Sequence, residues 1–346
     1  MDKLTELAEI LGELPIVKQL LREKNQLDAL KPLPQDVEAR VMQKLRLDWN
    51  FHSNAIEGNK LTYGETYTFL MYGLTAKGKP FKDHLDIKGH NEAINFLQSL
   101  VKDDRDLTES DIRALHKMIL VEPYQIEGIS AGGQRATKTV LLGEYKKLPN
   151  HVKTQTGEIH YYANPEDVPF KMAELVGWFN EIRQNENVTP SVLAAIFHHK
   201  FVEIHPFDDG NGRLSRILMN LILMQKGYPP AIIKLKERTD YYAALGLADK
   251  NEYKQIAEFV VESVLDSVNL YLKAIKGESI ESADDLDKEI ALFKMSLGKE
   301  VERKTTEHIM RLGKELVKPI IDKALSKLQT FNELFETNFS AVYINN

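Results

Sequence analysis

The stretch HPFDDGNGRLSR, residues 205–216, predicts how the central helices of this fold are connected. The apolar segment before it, residues 189–204, is predicted to be a core helix that Pro206 stops. The Asp, Gly and Asn residues at 208–212 are typical of a tight turn. A second apolar segment, residues 213–230, predicts another core helix. We therefore expect two buried helices joined by a glycine-rich turn.

The side chains around this turn have the chemistry of a phosphate site. A helix start presents free N–H groups, and glycines let an anion approach them closely. Arg213 and Arg216 are three residues apart, so they share one helix face and are expected to point towards the same anion. Asp209 is placed to share a Mg²⁺ ion with phosphates, and His205 is the side chain best suited to act as a base near neutral pH.

Each part of this pattern is common by itself. Gly-Asn-Gly is usually only a turn, and a His-Pro pair at a helix end is usually structural. A base, a cation ligand, a glycine turn and two arginines within twelve residues form a much more specific combination. It predicts an active site that handles a nucleoside triphosphate.

The same stretch matches the Fic (filamentation induced by cAMP) motif, His-x-Phe-x-Asp/Glu-Gly-Asn-Gly-Arg-x-x-Arg, at every fixed position. The chain from about Ile56 to Ser263 also resembles Fic proteins, and LMNLILMQKGYPPAIIK (218–234) is similar to animal members of the family. The resemblance implies an all-α Fic fold, a helical bundle with a small β-hairpin flap and helical extensions at both ends. It also implies a protein adenylyltransferase, which moves AMP from ATP to a Ser, Thr or Tyr hydroxyl of a target protein and releases pyrophosphate.

The resemblance assigns a role to each residue of the motif. His205 would deprotonate the target hydroxyl, Phe207 would anchor the loop in the core, and Asp209 would hold Mg²⁺ against the phosphates. The ATP phosphates would lie on Gly210, Asn211, Gly212, Arg213, Leu214, Ser215 and Arg216. Within that set, Arg213 is implied at the β-phosphate and Arg216 at the γ-phosphate. The implied cofactors are ATP, as substrate, and Mg²⁺.

The nucleoside side of the site is implied by TDYYAALGLADK, residues 239–250. The resemblance places Tyr241 and Tyr242 beside the nucleoside, and it places Asp249 where a related Fic protein has Asn. For Tyr241, packing within the helix core is an equally good interpretation. The adenine or ribose contact at Asp249 stays open at this stage.

A β-prone region interrupts the helical pattern. Its two runs, Thr139–Leu142 and Ile159–Tyr162, predict one β-hairpin with a long tip. The resemblance makes this hairpin the flap that aligns a target segment by strand addition, with Ile159, His160 and Tyr161 as contact residues. An ordinary surface hairpin is the alternative.

The stretch HSNAIEGNK (52–60) contains Ser53 and Glu57, which lie on one face if the stretch is helical, and Gly58 is a suitable helix stop. By itself, such a string is usually an exposed helix end. Beside the Fic motif it resembles the family's inhibitory motif, Ser/Thr-x-x-x-Glu-Gly/Asn, in the class with an inhibitory helix N-terminal to the core. Glu57 would then pair with Arg216, the arginine meant for the γ-phosphate, and hold the enzyme inactive.

The composition of the chain excludes several function classes. Its 346 residues are 43% apolar and 28% charged, with a net charge of −6, which is ordinary for a globular protein and argues against a basic surface for nucleic acid or membranes. Cysteine is absent, so disulfides, zinc–cysteine sites and thiol catalysis are excluded. We find no signal peptide and no apolar run long enough to span a bilayer, and we therefore expect a cytoplasmic protein.

The helical pattern divides the chain into three predicted parts. Residues 1–95 form an N-terminal helical region with the inhibitory helix at about 45–60, and residues 96–276 form the Fic core. The polar, acidic stretch 277–287 is the best candidate linker and is expected to be solvated. It opens a C-terminal helical extension, residues 277–346, where many Fic proteins carry a winged-helix module. Its mixed charge favours packing or oligomerisation over nucleic acid binding, which the extension leaves open.

The predicted function is autoinhibited transfer of AMP to a protein hydroxyl, on a target protein or on the chain itself. Two alternatives stay open. One is removal of AMP from a modified protein, for which the family's inhibitory glutamate can align a water molecule. The other is a binding protein in which the nucleotide gates an interaction of the C-terminal extension, although the intact motif favours catalysis. The family also suggests a homodimer.

Overall fold

The computed structural model of the protein describes residues 2–129, 135–150, 152–153, 159–296 and 305–329. Contacts between Cα atoms separate the chain into two compact units, Met1–Leu292 and Phe293–Asn346. Every residue of the predicted site belongs to the first unit.

The first unit is built mainly from helices. In chain order these are α1 (Asp2–Gly12), α2 (Pro15–Ala29), α3 (Gln35–Ile56), α4 (Tyr63–Tyr72), α5 (Phe81–Asp103), α6 (Glu109–Leu120), α7 (Val168–Ile182), α8 (Pro190–Ile204), α9 (Asn211–Gln225), α10 (Arg238–Ala248), α11 (Lys254–Ile275) and α12 (Asp285–Ser296), which belongs to this unit as far as Leu292. The second unit contains α13 (Thr306–Leu312), a π-helical turn at Gly313–Val317 and α14 (Lys318–Gln329). The predicted all-α class is confirmed.

Local sequence signals explain where several helices begin and end. α2 begins at Pro15 and α8 at Pro190, because the missing N–H of proline costs no hydrogen bond in the first turn of a helix. Thr108 caps α6 through a reciprocal capping box with Asp111. Gly227 follows α9 with a φ of +72°, the left-handed conformation that suits glycine.

Helices α8 and α9 form the centre of the first unit, as predicted. α8 packs against α9, α11, α7 and α1, and α9 also packs against α5, α6 and α3. Most side chains of both helices are buried. The turn that joins them is therefore anchored at both ends in the core, and the packing brings the C-terminal end of α3 to the start of α9.

The β region differs from the single hairpin predicted. The described residues of this region form two antiparallel pairs: β1 (Tyr124–Ile129) with β2 (Arg135–Val140), and β3 (Val152–Lys153) with β4 (Ile159–His160). The predicted partners, Thr139–Leu142 and Ile159–Tyr162, therefore do not pair with each other. Thr139 pairs with Gln125 instead, because β-prone composition identifies strands but does not specify their partners.

Most residues of the acidic stretch 277–287 are exposed, as its composition predicts, but two of its acids bind other helices. Asp285 is buried, and its Oδ2 accepts a hydrogen bond from Lys44 Nζ of α3 (2.8 Å). The Oδ2 of Asp287 accepts from the N–H of Gly64 in α4 (2.7 Å). Because each of these acids has a donor in another helix, the stretch fastens the start of α12 to α3 and α4.

The C-terminal extension is only partly covered by the described residues, which end at Gln329. Its winged-helix-like character and the boundaries 1–95, 96–276 and 277–346 stay predictions. None of the helices in the described ranges combines the length and the apolar content that a membrane crossing requires.

Candidate active site

The motif 205–216 forms a tight turn between α8 and α9. His205 ends α8 in the left-handed conformation, with φ 50° and ψ 59°, which is unusual for a residue other than glycine. Gly210 is also left-handed, at φ 78°, and α9 begins one residue later at Asn211. The Asn211 side chain accepts from the N–H of Phe207 (2.9 Å) and donates to the Phe207 carbonyl (2.8 Å). These two bonds close the turn.

The imidazole of His205 is held in its neutral form. Burial and the nearby Lys146 ammonium lower the pKa of His205 to about 3. The ring stacks on Tyr162, with the ring centroids 3.8 Å apart and the planes 17° from parallel. A neutral imidazole can accept a proton at physiological pH, so His205 is suited to act as a general base.

Asp209 carries a negative charge on the same turn. Its Oδ2 accepts from the Tyr124 hydroxyl, and its Oδ1 accepts from the N–H of Gly210 (2.6 Å). Burial raises the pKa of Asp209, but Arg213 and these hydrogen bonds outweigh burial, so the pKa lies below its ordinary value. The carboxylate is therefore ionised at neutral pH, as a ligand of a hard cation must be.

His116 of α6 stabilises the turn through two hydrogen bonds and a ring contact. Its Nε2–H donates to the Asp209 carbonyl (3.0 Å), and its Nδ1 accepts from the N–H of Gly143 (2.8 Å). The His116 ring also stacks on the buried Phe207, at 3.8 Å between centroids. Burial lowers the pKa of His116 to about 4, so the ring is neutral and keeps this donor and acceptor arrangement. Phe207 thus lies in the core, where the motif predicts it.

Arg216 is buried and bound by the end of α3. Its Nε donates to the Ser53 hydroxyl (2.9 Å), and its Nη2 donates to the Ser53 carbonyl (2.8 Å) and to Glu57 Oε1 (2.8 Å). Glu57 occupies the C-cap position of α3, and Gly58 follows it at φ 93°, a conformation that favours glycine. The pairing of Glu57 with Arg216 that the sequence predicts is therefore present.

Glu57 reaches the N-terminal end of α9 because residue 212 has no side chain. A Cβ atom at Gly212 would lie 2.3 Å from Glu57 Oε1 and 3.3 Å from Arg216 Nη1. Two unbonded heavy atoms cannot approach to the first of these distances. Glu57 thus places its carboxylate against the helix start, where free N–H groups and the helix dipole favour an anion.

Arg213 is held by a different acid. Its Nη1 donates to Asp86 Oδ1 of α5 (2.7 Å), and both side chains are largely buried. In this structure Arg213 is therefore bound by Asp86 and Arg216 by Glu57. Asp86 is a site residue that was not predicted from the sequence. The remaining predicted phosphate residues are fully buried within α9: Leu214 and Ser215.

The two tyrosines on the predicted nucleoside side differ in exposure. Tyr241 is buried, and its hydroxyl lies 2.7 Å from His198 Nε2. Tyr242 is 41% exposed, and its ring lies 5.3 Å from that of Tyr241 between centroids. Core packing, the alternative interpretation for Tyr241, therefore describes its position, whereas Tyr242 presents its ring to the surface.

Asp249 joins the C-terminal end of α10 to the second hairpin. Its Oδ1 lies 2.9 Å from Nε2 of the buried His199, and its Oδ2 lies 3.7 Å from His160 Nδ1. The other ring nitrogen of His199 lies 3.0 Å from the Tyr253 hydroxyl. Asp249 is thus part of a polar network that connects α8 with β4.

The flap residues predicted to meet a target occupy different environments. His160 belongs to the network just described, Tyr161 is 69% exposed, and the side chain of Ile159 lies outside the described residues. Tyr162, which was not predicted, is the flap residue that stacks on His205. No local signal marks Tyr162, because its contact with His205 joins residues 43 positions apart in the sequence.

Residues 106–223 match the sequence profile of the Fic/DOC family. The structure also resembles that of a Fic domain containing signaling protein from Bacteroides thetaiotaomicron, with a TM-score of 0.69 and 35% sequence identity, over 77% of this chain and 99% of that one. The chain belongs to the Fic/DOC family. The turn described above holds the Fic motif of this chain, residues 205–216.

Fic relatives with a named activity match the same part of the chain. The protein adenylyltransferase fic-1 of Caenorhabditis briggsae is 31% identical over 242 residues, which cover 69% of this chain and 44% of that protein. The protein adenylyltransferase Fic of Drosophila grimshawi is 33% identical over 224 residues, or 65% of this chain and 42% of that protein. This Fic chain therefore spans less than half the length of these two relatives.

Proposed function

We propose that the protein is an autoinhibited protein adenylyltransferase, which moves AMP from ATP to a hydroxyl group of a protein. The observation that carries this proposal is the geometry of the Fic motif: a neutral His205, an ionised Asp209 and the start of α9 lie on one short turn. They supply the base, the cation ligand and the phosphate site that nucleotide transfer needs. The relatives named protein adenylyltransferase support the same activity.

In the proposed reaction, His205 takes the proton of the target hydroxyl while the hydroxyl oxygen attacks the α-phosphorus of ATP. The new O–P bond forms, the bond from the α-phosphorus to the β-phosphate oxygen breaks, and pyrophosphate leaves. The N–H groups at the start of α9, together with Arg213 and Arg216, stabilise the charge on the phosphates. Orientation and charge neutralisation are thus the main contributions of the protein.

Asp209 is the residue that would hold Mg²⁺ in this reaction. Its carboxylate is ionised and lies on the turn that leads into the phosphate site. Mg²⁺ is often bound by only one or two carboxylates together with substrate phosphates, so a single acid at this position fits the ion. When bound, Mg²⁺ would neutralise charge on the phosphates.

Glu57 is the residue that we propose keeps the transferase inactive. Its carboxylate lies against Gly212 and binds Arg216. Arg216 cannot bind a γ-phosphate while it is paired with Glu57, and the carboxylate repels a triphosphate at the same helix start. ATP would then bind without reaching the orientation that transfer requires.

We propose positions for the nucleoside and for the target segment as well. The adenosine group would bind on the side of Tyr242 and Asp249, with Tyr241 packed behind them, and the flap would align the target segment through residues such as His160. We also propose a cytoplasmic location, a homodimer, and a packing role for the C-terminal extension in preference to nucleic acid binding. Analytical ultracentrifugation of the full chain tests the dimer.

Mass spectrometry of the full chain after incubation with ATP and Mg²⁺ tests the proposed activity. We expect the Glu57→Gly variant to gain the mass of an adenylyl group, on itself or on an added target, and a chelator to prevent this gain. ATP binding without any covalent adduct would contradict the proposal and favour a nucleotide-gated binding protein. Loss of AMP from an already modified protein, without addition, would favour the reverse reaction.

The low pKa of His205 predicts how the transfer rate depends on pH. A histidine with an ordinary pKa near 6.5 loses about tenfold in its neutral form between about pH 7.5 and pH 5.5. Because the pKa of His205 is lowered to about 3, its base form persists over this range. We expect kcat/KM, which reports the free enzyme, to change little over this range for the Glu57→Gly variant with saturating Mg²⁺. A tenfold fall towards pH 5.5 would contradict this prediction.

A further inference from the structure

One segment of the flap region binds the backbone of the Fic motif at consecutive positions. The N–H of Lys146 donates to the Pro206 carbonyl (2.8 Å), and Lys146 Nζ lies 3.3 Å from the Ile204 carbonyl oxygen. Lys146 is only 2% exposed, which is rare for a lysine and indicates a specific role for its side chain. Burial lowers the pKa of Lys146 to about 8, so it still carries its charge at neutral pH.

Asn150 continues this contact along the motif. Its Nδ2 donates to the Phe207 carbonyl (2.7 Å) and lies 3.4 Å from the His205 carbonyl oxygen. Its Oδ1 accepts from Lys146 Nζ (2.7 Å), so the two side chains hold each other in place. We call Lys146 and Asn150 the carbonyl clamp, because between them they bind every carbonyl oxygen from residue 204 to residue 207.

The backbone at His205 needs such support for two reasons. Its left-handed conformation is unfavourable for a residue with a Cβ atom, so the surrounding structure must hold it. The last carbonyls of α8 also lack partners within the helix, and a cation at this end is favoured by the helix dipole. Lys146 supplies that cation at Ile204, and Asn150 supplies donors at the next positions.

We propose that Lys146 and Asn150 are positioning residues for the transferase reaction: they fix the left-handed backbone of His205 and thereby the direction of its imidazole. The inference rests on the proposed function for its consequence in catalysis. The hydrogen bonds from the clamp to the motif end on the carbonyl oxygens of residues 204–207, before the phosphate-binding residues 210–216. Its loss should therefore slow the chemical step and leave ATP binding intact.

Steady-state kinetics in the Glu57→Gly background separate positioning from a purely structural role. We expect Lys146→Met and Asn150→Ala each to lower kcat for AMP transfer about tenfold or more, with the KM for ATP within about twofold. The matched controls are Lys147→Met, whose side chain is 76% exposed, and Asn187→Ala, which is exposed. Both controls should keep the parent kcat. A rise in the KM for ATP that accounts for the whole loss, or an unchanged kcat, would overturn the proposal.

A second measurement does not depend on transfer. The His205 ring stacks on the Tyr162 ring, with 3.8 Å between the centroids. The NMR shifts of the His205 ring protons therefore depend on the direction of the imidazole. With histidine labelled in the full chain, we expect the His205 ring resonances to shift in Asn150→Ala, which removes no charge, as well as in Lys146→Met, and to stay unchanged in both controls. Unchanged His205 resonances in the clamp variants would overturn the positioning role. If the Glu57→Gly parent transfers no AMP, the proposed function fails, and this measurement still decides the clamp.

Discussion

Replacing Glu57 by glycine is expected to raise the rate of AMP incorporation about tenfold or more, which corresponds to the loss of roughly 1.4 kcal/mol of inhibition. Glu57 Oε1 is bound to Arg216 Nη2 at 2.8 Å and lies where a side chain on Gly212 would be. Without the carboxylate, Arg216 becomes available for a phosphate, and an anion at the start of α9 is no longer repelled. Radiolabelled AMP transfer from ATP, with the chain itself and a lysate as acceptors, measures the effect.

Two variants control for other effects of the substitution. Glu57→Gln keeps the size of the side chain but removes its charge, so it should release part of the inhibition if electrostatic repulsion of the triphosphate matters. Glu38→Gly makes the same change at an exposed position in the first turn of α3 and should leave incorporation at the wild-type level. Equal incorporation by wild type and Glu57→Gly would mean that Glu57 does not inhibit transfer.

The features predicted best from the sequence depend on residues that are close together in the chain. The apolar segments on either side of the motif, with Pro206 and the glycines between them, predicted α8, α9 and their turn. The pairing of Glu57 with Arg216 spans 159 residues, and it was predictable only because both residues belong to motifs that resemble those of one family. Pattern alone gave no reason to bring these two motifs together.

The features that the sequence did not predict depend on long-range packing. The β-propensity of Thr139 does not depend on which strand it pairs with. Composition therefore cannot identify the partner of β2, which the fold determines. Asp285 lies in a polar, acidic stretch, yet the fold buries it and pairs it with Lys44 of α3. Asp86 and Lys146 are ordinary charged residues in the sequence, and only the packing of α5 and the flap region against the motif makes them part of the site.

Removing the imidazole of His205 is expected to lower AMP transfer about a thousandfold in the Glu57→Gly background, the range typical for loss of a general base. ATP binding should persist, because the start of α9, Arg213 and Asp209 are unchanged. Isothermal titration with ATP and Mg²⁺, set beside radiolabelled transfer, separates binding from chemistry.

The choice of substitution matters because residue 205 is left-handed, at φ 50°. His205→Asn suits this conformation better than His205→Ala, since Asn is among the residues most often found there. If both variants lose transfer but keep ATP affinity and thermal stability, the loss follows from the missing base and not from a distorted turn. His308→Ala, in α13 of the second unit, is the matched control and should transfer AMP at the parent rate. Transfer that continues in His205→Asn would remove His205 from the role of base, and the acceptor hydroxyl would then have to lose its proton to another group or to water.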